Sequence, residues 1–481
     1  MFGLDYTQQE AIGLSFLWNK LIPNSPYGVE QIKQIKPFGR SGQAALAECF
    51  DHIETVIRLA KEHKAELDTL CLHLMSLKNI RGCVNKCNNH TLHQVELFEV
   101  KQFLLVFEKL CITYKALEQR FQLNGIDLLA MDGALDILDP EQKRIAAFTV
   151  DSPELAVIRR EKLHVEALLQ KETGESAKNV LTTKRFQLVK REEQEETRVM
   201  RELSEALRVH LPAFHFNMDN IGKLDLIIAK AMLALEYGGI RPQISDRGIV
   251  SFQNMSNPFV ADALAKKGQT LTQVSLTLSE GVTIITGANM GGKSVSVKTA
   301  VLNVTLCQMG FFVFAEQAEI PLFDGICLIS EDMQDIGRGL SSFGAEIVRF
   351  NEVVTRLKTE FLFVALDEFA RGTNPAEGAA LVRGVASYLS ESGSVCVMTT
   401  HYDGVVLPTF KHYQVAGLSF PETEQESMGN LAFIADYMDY NLIEAGTETA
   451  PPRDALTICK IIGLDQGVLE RIGSEYPDIS D

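Results

Sequence analysis

From Gln43 to about Gln122 apolar residues recur every three or four positions, with Phe50, Ile53, Ile57 and Ala60 on one helical face and Glu54, Arg58 and Glu62 off it. A second run of this kind covers Val95 to Phe121, so long helices packed on one another are expected. A shorter helical pattern, Gln8 to Leu21, precedes them and is closed by Pro23, Pro26, Gly28 and Pro37. After Gly125 the pattern breaks. Turn signals at Asp132-Gly133, Asp139-Pro140 and Ser152-Pro153 alternate with short apolar runs such as Ala146 to Val150, which predicts a small α+β insertion reaching about Val189. Helical periodicity returns from Glu192 to Tyr237, and Gly238-Gly239 with Pro242 closes it. From Ile249 onward apolar runs bounded by turns alternate with helical stretches, the mark of a mostly parallel sheet covered on its faces. The chain thus reads as a helical part, residues 1 to about 248, followed by an α/β part, about 249–481.

One stretch in the second part carries chemistry. The β-branched run Val282 to Ile285 reads as a buried strand, Val295 to Cys307 as a helix, and between them Gly287-x-x-x-x-Gly292-Lys293-Ser294 fits the phosphate-binding pattern G-x-x-x-x-G-K-[ST]. Backbone N–H groups must close around phosphate oxygens there, which only glycine permits at the tightest points. Gly287, Asn289, Met290, Gly291, Gly292, Lys293 and Ser294 are therefore the expected nucleotide-binding residues, with Lys293 supplying charge to the phosphates and Ser294 a hydroxyl to Mg²⁺. A bare match arises by chance in roughly one chain in fifty of this length, so the strand before it and the helix after it matter.

Downstream residues extend the same chemistry. The apolar run Phe361 to Leu366 ends in Asp367-Glu368, placing one acid to hold Mg²⁺ and the next to polarise an attacking water. The strand-like Val395 to Met398 leads to Thr399-Thr400-His401-Tyr402, and a His at the carboxyl end of such a strand faces the ligand crevice. A separate cluster, Cys83-x-x-x-Cys87-x-x-His90-x-x-His93, holds metal-ligand types, but finger spacings set the two pairs further apart, and a polar turn between helices is the simpler account.

Composition narrows the class. With 481 residues, 46% of them hydrophobic, the chain is an ordinary globular protein, and no run of about 18 apolar residues or leader-like start is present, so a cytoplasmic protein with no membrane role is expected. A net charge of -17 argues against a general nucleic-acid coat and leaves room for a confined basic patch. Arg159-Arg160, Lys184-Arg185 and Lys190-Arg191 are the candidates for one. Nine cysteines in a long chain point to free thiols in a reducing compartment.

The order of motifs resembles the ATPase domain of the MutS mismatch-repair family. It is carried by residues 287–294, Phe314-Ala315-Glu316, Gly339-Leu340-Ser341-Ser342-Phe343-Gly344-Ala345-Glu346, Leu366-Asp367-Glu368, Arg371-Gly372-Thr373 and Thr399-Thr400-His401-Tyr402, and it covers about residues 250–475. Upstream, the helices are similar to that family's lever arms. The resemblance implies an α/β ABC-type P-loop ATPase domain (249–481), preceded by a mainly α-helical lever/clamp domain: lever 1–124, a reduced clamp-like insertion 125–190 and returning lever helices 191–248. It implies ATP and Mg²⁺ as ligands, a homodimer through the ATPase domains, Glu368 as base, Asn289 placing the water, His401 at the γ-phosphate, and Ser341 reaching the nucleotide of the other subunit. Leu340 stands where the family has Arg before that serine.

The family's mismatch reader carries Phe-x-Glu in an N-terminal domain. Here Phe314-Ala315-Glu316 and Phe420-Pro421-Glu422 match only inside the ATPase region, so they are expected to be decoys, and no mismatch reader or C-terminal nuclease-like extension is expected. The resemblance implies DNA as client. The details Ile320-Pro321-Leu322-Phe323-Asp324, Ser330-Glu331-Asp332, Leu340-Ser341-Ser342-Phe343-Gly344-Ala345-Glu346 and Pro452-Arg453-Asp454-Ala455-Leu456 are similar instead to a short branch, the ATPase subunit of reactivases for adenosylcobalamin-dependent lysine aminomutases, which implies a protein client.

Overall fold

The computed structural model describes residues 3–121, 123–287, 291–330, 342–418, 438–446, 458–459 and 463–475. The chain divides into two compact units. One comprises Met1–Leu21, Lys36–Asp51 and Met232–Asp481; the other comprises Ile22–Ile35 and His52–Ala231.

The first unit holds ten described strands: β1 (Gln243–Ile244), β2 (Ile249–Met255), β3 (Val274–Ser279), β4 (Gly281–Thr286), β5 (Gln317–Ile320), β6 (Gly325–Ser330), β7 (Leu362–Asp367), β8 (Val395–Thr400), β9 (Lys411–Leu418) and β10 (Met438–Glu444). They form a four-stranded sheet in the order β1-β5-β2-β3 and a six-stranded sheet in the order β10-β9-β4-β8-β7-β6. In the larger sheet β4, β6, β7, β8 and β9 run parallel, and only β10 pairs antiparallel. Every residue of β4, β6, β7 and β8 is buried, as strands covered on both faces require. The register sets Thr286 opposite Thr400 and Leu366 opposite Met398, so the carboxyl ends of β4, β8 and β7 finish side by side. Helix Lys293–Gln308 follows β4 and is buried along nearly its whole length, which its high Val, Thr, Ala and Leu content allows.

The expected single division near residue 248 differs from these units. Residues Met1–Leu21 and Lys36–Asp51 group with the sheets. The Gln8 side chain donates to the Leu328 carbonyl of β6 at 2.6 Å, Trp18 packs on Phe311 with ring centroids 5.3 Å apart, and Phe50 meets Phe312 at 5.9 Å. These are contacts across hundreds of residues, invisible to local pattern.

The second unit is helical. Its core runs along helix Gln94–Glu118, where Leu97, Phe103, Leu104, Phe107 and Leu110 are buried and Phe103 stacks on Phe107. Helices Pro153–Lys171 and Glu175–Leu207 pair along their lengths through two small apolar clusters, Val150, Leu155 and Val199, then Ile158, Val165 and Leu188. Arg159 reaches across to Glu192 at 3.1 Å and Glu196 at 2.8 Å, and Lys162 shares Glu192. Among the described residues, 125–190 contain helices and loops and no strand, so the expected α+β character is corrected. The reason is tertiary. The Ala146 and Ala147 carbonyls accept from the Gln102 and Lys101 side chains at 2.7 and 3.1 Å, which satisfies a backbone that would otherwise need a neighbouring strand. No described helix is long and apolar enough to cross a membrane.

Candidate functional site

Residues from four segments far apart in sequence meet where β4, β7 and β8 end. Gly292, at φ +83°, caps the start of helix Lys293–Gln308 in a left-handed conformation that favours glycine, and an added Cβ would lie 2.9 Å from the Tyr440 ring. Gly287, at φ +145°, passes so close to β9 that a Cβ would sit 3.0 Å from Val415. A side chain at either glycine would have to push a neighbour aside, from a backbone conformation that L-residues rarely adopt.

Lys293 is 3% exposed and donates to the Gly287 carbonyl at 2.7 Å; its Nζ lies 3.7 Å from Glu368 Oε1. Burial lowers its pKa, and the neighbouring Glu368 and Asp367 oppose that shift only in part. Asp367, 5% exposed, accepts from Ser294 Oγ and Thr399 Oγ1, both at 2.8 Å. Burial nevertheless raises its pKa above the ordinary 3.8. The pair Ser294–Asp367 is a hard oxygen donor set of the kind Mg²⁺ takes, so these residues fit that ion.

Glu368 is held more tightly than the sequence suggests. Its N–H donates to Thr399 Oγ1 at 2.8 Å, and Arg371 clasps its Oε2 at 2.6 Å. Glu368 stands at φ +50° and Ala370 at φ +62°. Two non-glycine residues in the left-handed region within three positions store roughly 1–3 kcal/mol each, and such strain persists only where neighbours enforce it. The Ala370 N–H donates to Glu346 Oε2 and its carbonyl accepts from Tyr402 Oη, each at 3.0 Å.

A cavity of about 670 Å³ opens beside these groups. One side is Gly291, Gly292, Lys293, Ser294 and Glu368; the other is apolar, with Val260, Leu264, Leu271, Met438 and Tyr440. A larger hollow of about 800 Å³ lies elsewhere on the first unit, around Arg40, Arg247, Glu280 and Phe361, remote from this chemistry.

Of the residues expected from sequence, Gly287, Gly291, Gly292, Lys293, Ser294, Asp367 and Glu368 come together here. His401 directly follows β8, with its ring 4.4 Å from that of Tyr402, and is not among the cavity's lining residues. Asn289, Met290, Ser341 and the run Phe420 to Glu422 lie outside the described residues. Phe314 is a buried ring, edge-on to Tyr237 at 6.1 Å. Sequence reasoning missed Thr399 as the bridge between the two acids. It also missed Arg371 as a clasp and Tyr440 as a wall, the last 147 residues beyond Lys293 with no local signal to mark it.

The Cys83 to His93 cluster is structural. Cys87 is buried and donates to the Ser204 carbonyl, Cys83 reaches Glu99, and His93 caps helix Gln94–Glu118. Among the described residues no group of three or more His, Cys, Asp or Glu could hold a metal ion. All nine cysteines are free thiols.

Residues 283–441 match the family model described as MutS domain V. Three similar curated proteins are each named Endonuclease MutS2. That of Caldicellulosiruptor bescii is 33% identical over 219 residues, 45% of this chain and 27% of its own length. That of Leuconostoc mesenteroides is 33% identical over 249 residues, 52% of this chain and 30% of its own. That of Halothermothrix orenii is 33% identical over 220 residues, 46% and 27%. The chain thus spans less than a third of the length of these relatives. Domain V is matched over strands that converge on the cavity, so residues 283–441 form a domain of the MutS family.

Proposed function

We propose that the chain is an ABC-type ATP hydrolase, ATP + H₂O to ADP + phosphate, whose helical unit carries the effect of hydrolysis to DNA. The observation that supports the chemistry is the convergence of Lys293, Ser294 and Glu368 on one wall of a cavity large enough for a nucleotide, with Asp367 bonded to Ser294 behind it. Lys293 would leave the Gly287 carbonyl for the β/γ-phosphate oxygens. Ser294 and Asp367 would hold Mg²⁺, which when bound neutralises phosphate charge. Glu368 would order a water and take its proton as the water oxygen bonds to the γ-phosphorus and the bridging oxygen leaves with ADP. The apolar wall of Val260, Leu264, Leu271, Met438 and Tyr440 suits the base. Asn289, His401 and, from a second copy, Ser341 would complete the phosphate end as the family resemblance implies.

DNA as client is supported by charge placement and by the MutS2 relatives. Between residues 156 and 191 nine basic residues face four acidic ones, in a chain of net charge -17. Arg159 and Arg185 are committed to Glu192, Glu196 and Glu166, whereas Arg160, Lys184, Lys190 and Arg191 have no carboxylate within 4 Å among the described residues. The test has two arms. Purified protein should hydrolyse ATP and lose this on Lys293→Ala; unchanged turnover in that variant removes the site. Duplex DNA should bind at low salt, weaken steeply as salt rises, and weaken further when Lys184, Lys190 and Arg191 become Gln. No binding at low salt removes DNA as client and leaves a protein client, of which the aminomutase of the similar short branch is the first to try.

A further inference from the structure

Four side chains restrain the strained turn 367–371, and they do not come from the same place. Ser294 and Thr399 hold Asp367, and Thr399 also holds the Glu368 N–H. Tyr402 holds the Ala370 carbonyl. Ser294 lies in the first turn of the helix that follows β4, Thr399 lies near the end of β8 and Tyr402 just beyond it, so these three belong to the cavity's own framework. The fourth, Glu346, stands on helix Ser342–Leu357, no described residue of which lines the cavity. Its Oε2 accepts from the Ala370 N–H at 3.0 Å, and the residue is 5% exposed. A carboxylate makes a stronger acceptor for a backbone N–H than a neutral group does. It is spent here on a residue at φ +62°, a conformation that L-residues avoid, one peptide beyond Phe369 and two beyond Glu368.

From this we propose that Glu346 is the positioning residue for Glu368. By anchoring the Ala370 N–H it keeps the turn in its left-handed course, which aims the Glu368 carboxylate at the cavity and sets Arg371 against it. It also makes that aim depend on where helix Ser342–Leu357 stands, so movement of this helix is felt at the base without any contact between the helix and the nucleotide. The inference rests on the ATPase reading and deepens it, adding a control on the base to a site already assigned.

The experiment uses the full chain and measures ATP affinity and steady-state turnover separately. Glu346→Ala should lower kcat at least tenfold and leave ATP affinity within twofold, because the phosphate-binding residues are held by other partners. Glu346→Gln keeps an acceptor oxygen and should retain at least a third of the parent kcat. In Glu346→Ala, adding Ala370→Gly relieves the left-handed strain and should recover kcat at least threefold. A Glu346→Ala kcat within twofold of the parent overturns the proposal. So does affinity falling in step with kcat, a Gln variant as poor as the Ala one, or no recovery with glycine. If Glu346→Ala does not fold, the Gln variant decides alone: loss of kcat with intact folding overturns the hydrogen-bond account, and retention supports it. Failure of the underlying reading looks different. There the parent does not hydrolyse ATP, or Lys293→Ala binds ATP as the parent does, and the proposal falls with the site.

Discussion

Replacing Lys293 by Ala separates a binding role from a structural one. The side chain is 3% exposed, yet its charge is poorly accommodated in the free protein, as the lowered pKa from burial records. For a base whose folded pKa is depressed, the penalty is present in full below the folded value and is relieved as pH climbs from there toward the ordinary 10.5. Removing the charge therefore relieves a cost while losing one hydrogen bond to Gly287 and a 3.7 Å contact with Glu368. The free variant should unfold within about 1 kcal/mol of the parent. With nucleotide the outcome reverses. A charge about 4 Å from a phosphate is worth about 4 kcal/mol at an effective dielectric near 20. Part of that replaces the contact with Glu368, which leaves about 3 kcal/mol and a roughly 10²-fold loss of affinity. At a Mg·ATP concentration near 100 times the parent Kd, the parent gains about 2.7 kcal/mol of stability and the variant only about 0.4. Urea unfolding followed by Trp18 fluorescence, with and without Mg·ATP, reads both quantities, since Trp18 is the one tryptophan and packs on Phe311 in the unit that holds the site. The reasoning fails if Mg·ATP stabilises the variant to within about 0.5 kcal/mol of the parent, or if the free variant loses more than about 3 kcal/mol.

Glu368→Gln should keep ATP binding and cut turnover about 10²-fold or more, and near-normal turnover in the purified variant takes the base role away from it. Asp367 has a folded pKa raised by burial, so its contribution to stability is full below 3.8 and lost as pH rises through the folded value. Mg²⁺ binds the ionised form, so its affinity should begin to weaken on acidification above the range of an ordinary aspartate; a loss of affinity by calorimetry that sets in only near 3.8 would contradict this. In the helical unit, Lys101 and Asp139 form an ion pair 3.1 Å long with both side chains at most 5% exposed. Lys101→Met should cost about 3 kcal/mol in chemical unfolding, the low end for a broken buried pair because the Arg144 N–H still serves Asp139; a loss below 1 kcal/mol would show the pair to be dispensable.

Some of this was legible in the residues alone. The apolar strands Val282 to Ile285, Phe361 to Leu366 and Val395 to Met398 and the helix Val295 to Cys307 are local consequences of side-chain size and period, and the structure has each of them with ends shifted by one or two residues. Helix periodicity in residues 43–118 survived for the same reason. Other features had no local cause. The run Ala146 to Val150 has strand composition, but its carbonyls are met by Lys101 and Gln102 from a helix closed long before, so tertiary hydrogen bonds overrode propensity. The first twenty residues have a helical pattern whatever they pack on; only the folded chain sets Gln8 on β6 and Trp18 on Phe311. At the site, sequence order gave the acids after β7 but not their restraint. Thr399, Tyr402 and Glu346 reach the turn at residues 367–371 from two separate segments, and its left-handed residues exist because those three groups hold the backbone there. A conformation enforced by partners distant in sequence cannot be read from the residues that adopt it.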